Sequence, residues 1–217
     1  MNPLSAEDLL ARGLEDLDIA VSVSQTAAFL GYLQELKKWN AAYNLTALKN
    51  DEDIISKHFL DSLLYLKALP EGELKLADAG SGAGFPGIPI KIIRPEIELS
   101  LIEPSRKKAS FLRHIVRVQG IQEVKIIQER IEKLPIQYRA AFDVIVSRAT
   151  FSILEFINAA CPLIREGGSL ILSKGPGIDK ELEALEKQKP EHGRVSTILP
   201  FRLPLQNAQR NIVILKC

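Results

Sequence analysis

Between Leu76 and Gly87 the chain reads L-A-D-A-G-S-G-A-G-F-P-G, an acid followed by a cluster of glycines and then an apolar run from Ile88. Two spacings overlap there. Gly82, Gly84 and Gly87 satisfy G-x-G-x-x-G, the dinucleotide pattern, which is weak on its own, whereas Asp78, Gly80, Gly82 and Gly84 satisfy D-x-G-x-G-x-G. Residues without Cβ let the backbone approach a ligand, and a following helix N-terminus offers unpaired N–H groups to an anion. Asp78 separates the two patterns: a carboxylate at the strand end repels a pyrophosphate but suits the ammonium and sulfonium end of S-adenosylmethionine. Glu103 closes a second apparent strand at the separation of an acid that hydrogen-bonds ribose hydroxyls, a group both cofactors carry. The plainer alternative makes Asp78 and Glu103 turn residues at solvent-facing strand ends.

Further along, Arg148 follows the fourth apparent strand, at the mouth where a transferred group must emerge, and Lys174 closes the fifth. Each is either a contact for the cofactor or a nucleic acid, or a surface charge. His58 and Asp61 lie one helical turn apart, too small a set for a metal site, and read as packing against the main domain or contacting RNA in preference to acid–base work. No metal site is expected. Trp39, Tyr43 and Asn44 read as anchors for the N-terminal helices.

These residues need a scaffold. The first 70 residues read as helices: a short acidic one capped by Ser5 and Asp8, a longer one opening at Ser24 with Ala28, Leu30, Leu33, Leu36 and Trp39 on one face, and a third over about 51–69. Pro70-Glu71-Gly72 breaks the pattern. From Leu74 short apolar strands alternate with helical stretches, the signature of a parallel sheet covered on both faces. Strands are predicted near 74–79, 98–103, 123–128, 142–147, 169–173, 195–200 and 211–216, the last one antiparallel, with helices near 86–94, 105–119, 152–164 and 178–188. The expected organisation is an N-terminal helical extension (1–70) on an α/β, Rossmann-like domain (71–217) of class I methyltransferase type, with a seven-stranded, mostly parallel sheet.

A formal net charge of +1 with 25% charged residues gives no global field for a polyanion, so any nucleic-acid surface must be local. The best candidate is the stretch from Ser105 to Gln119, which carries Arg106, Lys107, Lys108, Arg113 and Arg117 and no acid, opposite an apolar stripe of Phe111, Leu112, Ile115 and Val116. Cys161 and Cys217 are the only cysteines and suggest neither a disulfide framework nor a metal cluster, which fits a reducing cytosol. Without a signal-like N-terminus or a bilayer-length apolar run, the expectation is a cytoplasmic protein with no membrane partner.

Six segments extend the glycine loop into a longer match: W-N-A-A-Y-N-L-T at Trp39–Thr46, K-H-F-L-D-S-L at Lys57–Leu63, D-A-G-S-G-A-G-F-P-G-I-P at Asp78–Pro89, E-R-I-E at Glu129–Glu132, V-S-R-A at Val146–Ala149 and L-S-K-G at Leu172–Gly175. With these the chain resembles the bacterial glucose-inhibited division protein B family, enzymes that methylate N7 of a guanine in 16S ribosomal RNA. The resemblance spans nearly the whole chain. Family members often carry Asp where Glu103 stands, which keeps the carboxylate. The resemblance implies that Gly80 and Phe85 line S-adenosylmethionine, that Ile131 and Glu132 flank its adenine, and that Arg148 completes the pocket. It also implies 16S ribosomal RNA or the small ribosomal subunit as partner, and the chain is expected to act as a monomer.

Guanine N7 already presents a lone pair, so in-line methyl transfer needs close, collinear placement and no general base. In keeping with this, residues 147–150 read S-R-A-T, not the N/D-P-P-Y pattern used to grip an exocyclic amine. No catalytic acid or base is expected. Two other readings stand beside this one: a nicotinamide-dependent oxidoreductase, and a noncatalytic RNA-binding module that retains a cofactor pocket.

Overall fold

Burial on both faces selects the strands that form the centre of the molecule. In the computed structural model, which describes residues 4–148, 150–188 and 192–217, β1 (Lys75–Ala79) and β4 (Phe142–Arg148) carry near-continuous buried runs and lie side by side. Parallel neighbours extend the sheet through β2 (Glu98–Ile102) and β3 (Val124–Ile127) on one side and β5 (Ile164–Lys174) on the other. The antiparallel pair β6 (Arg194–Arg202) and β7 (Gln209–Lys216) completes a seven-stranded sheet of order β3-β2-β1-β4-β5-β7-β6. All seven predicted strands are present, β7 being the expected antiparallel one. The order reverses between β1 and β4, and the crevice at their carboxyl ends is where such sheets bind ligands.

Helices cover both faces. On one side lie α1 (Ala6–Asp16), α2 (Val23–Tyr43) and the helical run 51–67, together with α5 (Gly87–Ile93) and α6 (Arg106–Val118), sharing one core with sheet residues such as Leu76, Leu99 and Val146. On the other side α7 (Ile153–Ala160) and α8 (Asp179–Gln188) pack on Ala77, Ile145 and Leu170. Helix α2 starts two residues earlier than expected, because Ser22 and not Ser24 has a glutamine three positions on, and Ser22 with Gln25 closes the capping box. Its buried stripe is also turned, toward Phe29, Tyr32, Leu33 and Leu36.

The run 51–67 departs from a single regular helix. It comprises α3 (Asp51–Ile54), a π-helical segment (Ile55–Leu60), α4 (Asp61–Leu63) and a 3₁₀ turn (Leu64–Lys67). Wider π turns re-aim the residues beyond them and occur often at functional sites. Two other boundaries differ from expectation. The helix predicted over 152–164 ends at Ala160, giving way to a 3₁₀ turn with Pro162, and β5 begins at Ile164 instead of 169 because Ile164 already pairs with Phe142 before a register shift.

One sequence expectation is overturned. Cys161 and Cys217 form a disulfide, their Cα atoms 5.5 Å apart across 56 residues of chain. Antiparallel pairing of β7 on β5 carries the C-terminus back to the turn that precedes β5, a juxtaposition the sequence spacing does not reveal. The argument for a reducing compartment from unpaired cysteines therefore lapses. No helix among the described residues is long and apolar enough to cross a membrane.

The N-terminal helices are tied to the strand ends by buried phenols. Tyr65 Oη donates to the Ser147 carbonyl (2.5 Å) and accepts the Ser173 N–H (2.9 Å), linking β4 to β5, while Tyr32 Oη donates to the Ala83 carbonyl in the glycine loop. Replacing Tyr65 with Phe orphans two buried backbone groups, so chemical denaturation is expected to show a loss of about 2–3 kcal/mol in unfolding free energy.

Candidate active site

The glycine loop leaves β1 at Ala79 and enters α5 at Gly87, with Gly80, Gly82 and Gly84 all at positive φ. Their roles differ. A Cβ on Gly80 would sit 2.8 Å from Thr150 Oγ1, and one on Gly84 would sit 2.5 Å from Ile88 Cδ1 and 2.6 Å from Tyr32 Oη, so both positions are set by close packing. At Gly82 the nearest atom is 3.9 Å away, and the residue lies on the wall of a cavity.

Two cavities meet at this loop, sharing Gly80 and Thr150. The larger, about 650 Å³, is bounded by Gly80–Ala83 and Phe85, by the 45–48 segment, and by Lys57, His58, Asp61, Lys108, Arg148, Lys174 and Arg210. The smaller, about 290 Å³, is lined by Ile102, Glu129–Glu132, Phe151 and Glu155. Gly80, Gly82, Phe85 and Arg148 thus face the larger cavity, Ile131 and Glu132 the smaller. Gly84, Asp78 and Glu103 stand behind the walls.

Both carboxylates grip the loop from beneath. Asp78, fully buried, accepts the Gly87 N–H at Oδ2 (2.8 Å), and Glu103 accepts the N–H groups of Gly82 and Ser105 (both 2.8 Å). Neither is a solvated turn residue. Burial pushes the Asp78 carboxyl up to about 7, with the Glu103 charge in the same direction and the Gly87 N–H and Arg148 opposing it. Among the described residues two buried side-chain atoms lack a hydrogen-bond partner, Asp78 Oδ1 at the end of β1 and Ser81 Oγ in the loop. Unpaired buried polar atoms cost about 1–3 kcal/mol each, so a polar ligand with a cationic end suits the position.

The N-terminal helices supply the opposite wall. His58 stacks on Phe85 with ring centroids 4.4 Å apart, and its Nδ1 lies 2.7 Å from Arg148 Nη2. A guanidinium only donates, so Nδ1 accepts, and Nε2–H donates to Thr46 Oγ1 (2.8 Å). Burial, reinforced by the Arg148 charge, lowers the His58 pKa to about 3 and keeps the ring neutral. Its lone pair is already committed, which removes it from acid–base work. Lys174 is mostly buried, donating to the Phe151 carbonyl (2.6 Å) and pairing with Glu181 (2.9 Å), so it is held at the cavity wall and does not wave in water.

Sequence reasoning singled out the loop, Arg148 and Lys174, but it assigned no site role to Tyr32, Thr46, Thr150 or Arg210. The packing favoured for His58 and Asp61 is observed, yet both also bound the cavity. Residue 149, part of the S-R-A-T reading, lies outside the described residues.

The sheet order, the antiparallel β7 and a glycine loop at the switch point define a class I methyltransferase fold of the S-adenosylmethionine-dependent type. Solved structures agree. A SAM-dependent methyltransferase from Aquifex aeolicus superposes with a TM-score of 0.58 at 17% identity, covering 76% of this chain and 93% of that one. P. horikoshii TYW2 in complex with MeSAdo gives 0.54 at 12%, covering 73% and 62%. The model of the family described as rRNA small subunit methyltransferase G matches residues 25–213, and the chain belongs to that family. Relatives named ribosomal RNA small subunit methyltransferase G include those of Geobacter sp. strain M21, 36% identical over 97% of both chains, and Deinococcus radiodurans, 37% identical over 98% of this chain and 85% of that one.

Two measurements test this geometry. Gly82→Val is expected to abolish S-adenosylhomocysteine binding in an equilibrium titration while lowering the thermal midpoint less than Gly84→Ala, whose Cβ collides with Tyr32 and Ile88. For His58, the unfolded ring takes a proton below pH 6.5 and the folded ring resists it to about pH 3, so falling pH favours unfolding. Relative to His58→Gln, the wild type is expected to lose about 1.4 kcal/mol of stability per pH unit as acidity rises through that window, as read by denaturation at several pH values.

Proposed function

We propose that this protein transfers a methyl group from S-adenosylmethionine to N7 of a guanine in 16S ribosomal RNA. Family membership supports the reaction class, and one structural observation supports it most: the glycine loop lies where two cavities meet, one bounded by Ile131 and Phe151 with Glu129, Glu132 and Glu155, and one lined with cations. The fold and family speak for a methyl donor over a nicotinamide. The guanine N7 acceptor comes from the sequence resemblance.

When bound, the cofactor supplies an electrophilic methyl on a sulfonium. The chain's own residues supply placement. Ile131, buried beside the smaller cavity, offers an apolar face for an adenine, and Glu132 sits at its edge. Glu103 acts from behind the loop, holding the Gly82 N–H and so fixing the backbone against which a ribose would lie. Asp78 ionises in favour of a cationic ligand, since a positive charge in low dielectric stabilises its carboxylate. In the larger cavity Phe85 forms the floor under His58 and Arg148, whose guanidinium lies 5.3 Å from its ring. Among the described residues there, His58 and Asp61 are both committed to partners and leave no free base poised for proton removal, in keeping with an acceptor nitrogen that has no proton to lose.

RNA contact is assigned to α6 and to Lys174 and Arg148. Arg106, Lys107, Arg113 and Arg117 are exposed on α6, whereas Lys108 turns into the cavity, which makes the helix a continuation of the active-site rim. We assign the protein to the cytoplasm, acting as a monomer on the naked RNA or the small subunit.

Transfer of labelled methyl to naked 16S RNA and to small subunits, with mapping of the modified nucleotide, is the deciding experiment. One methylated guanine is expected, and no turnover with either substrate would leave a noncatalytic RNA-binding module. With saturating cofactor, single-turnover rates are expected to vary little from mildly acidic to mildly alkaline pH. Arg106→Glu with Lys107→Glu, both exposed and away from the cavity wall, is expected to weaken RNA binding and to lower the salt slope of log affinity by about 0.7 per lost phosphate contact, with S-adenosylhomocysteine affinity changed by less than about threefold.

A further inference from the structure

Asp61 is a buried carboxylate shared by two arginines from different strands. Its Oδ2 lies 3.2 Å from Arg148 Nη1 at the end of β4, and its Oδ1 lies 2.9 Å from Arg210 Nε on β7. The same stretch of helix grips Arg148 twice more, through the Lys57 carbonyl (2.6 Å to Nη1) and His58 Nδ1 (2.7 Å to Nη2). All three acceptors lie within residues 57–61, which span the end of the π-helical segment and the first residue of α4. The π turn thus places a carbonyl, an imidazole and a carboxylate on one guanidinium.

We propose that Asp61 is a positioning residue for methyl transfer: it fixes Arg148 against Phe85 at the cofactor cavity and, through Arg210, ties that setting to the antiparallel strand β7. The inference rests on the methyl-transfer reading above. Two arginines against one carboxylate leave the cluster with an excess positive charge, and because Asp61 is 4% exposed the charge is weakly screened by water. Such a cluster receives an anionic group, the methionine carboxylate of the cofactor or a phosphate of the RNA, provided Arg148 is held where that group arrives. A guanidinium on a flexible stem loses this placement when its rotamers are released.

Charge and placement make opposite forecasts for Asp61→Asn. If only net charge matters, removing the carboxylate strengthens attraction for an anion. If placement matters, the variant is impaired. The test compares wild type, Asp61→Asn, Arg148→Gln and the double variant by S-adenosylhomocysteine titration, by single-turnover methylation at saturating cofactor and RNA, and by thermal melts. Under the proposal Asp61→Asn folds and loses at least about tenfold in rate or in cofactor affinity, and the double variant is no worse than Arg148→Gln alone, because the two residues act as one unit. If Asp61→Asn does not fold, the double variant, neutral on both sides, is compared with Arg148→Gln, and equal activity supports the proposal. A folded Asp61→Asn within about twofold of wild type overturns it, as do losses that multiply in the double variant, or unfolding of both. If the wild type methylates no RNA, the functional reading fails, while coupling in the titrations still shows whether Asp61 holds Arg148.

Discussion

The candidate active site depends on how a glycine-rich segment with few side chains of its own is kept in one shape. Three buried polar groups do this from three directions. Asp78 holds the Gly87 N–H where the loop enters α5, Glu103 holds the Gly82 N–H at its apex, and Tyr32 holds the Ala83 carbonyl from the N-terminal helices. The Asp78 and Tyr32 bonds lie where water is excluded, so they restrain the backbone more than they would at the surface. The positive φ values at Gly80, Gly82 and Gly84 are the conformations these restraints select, and glycine alone adopts them without strain.

That arrangement makes the N-terminal helices part of the site and not an appendage. They share a core with one face of the sheet, with Tyr32 packed against both Phe59 and Phe85 at centroid distances of 5.3 Å. Burying an aromatic or aliphatic side chain is worth about 1.5–3 kcal/mol, and this aromatic cluster spends that stabilisation directly beneath the glycine loop. The β6–β7 connection is tied to the same helices: Ser56 Oγ donates to the Pro204 carbonyl, and Gln206 bonds to Asp53. Helical extension, glycine loop and, through Arg210, strand β7 therefore all contribute to the wall of the larger cavity.

Electrostatics follow the same division between whole and part. A chain of net charge +1 attracts no polyanion at long range, yet Lys57, Lys108, Lys174, Arg148 and Arg210 converge on one cavity. Carboxylates temper most of them: Asp53 pairs with Lys57, Glu181 with Lys174, and Asp61 with both arginines. Paired cations hold fixed positions, which suits recognition of an anion at a defined point better than a diffuse positive surface does. The exposed Arg106, Lys107 and Arg117 of α6 are the contrasting case, cations outside the cavity.

The sequence alone determined the alternation of strands and helices and the place of the glycine loop at the end of β1, because periodicity and glycine spacing are local properties of the chain. All seven strands lie where the apolar runs placed them, and Gly80, Gly82, Phe85 and Arg148 share one cavity wall. Tertiary structure decided the rest. Asp78 and Glu103 turned out to brace the loop from behind, since which way a carboxylate faces depends on the elements packed over it. The pairing of Cys161 with Cys217 arises only when β7 folds back beside β5. Asp61 meets Arg210 across 149 residues of chain, and His58 meets Arg148 across 90, contacts created by the docking of a helical extension onto a sheet. No local pattern encodes such distances, because they are set by the mutual burial of faces that lie far apart in the sequence.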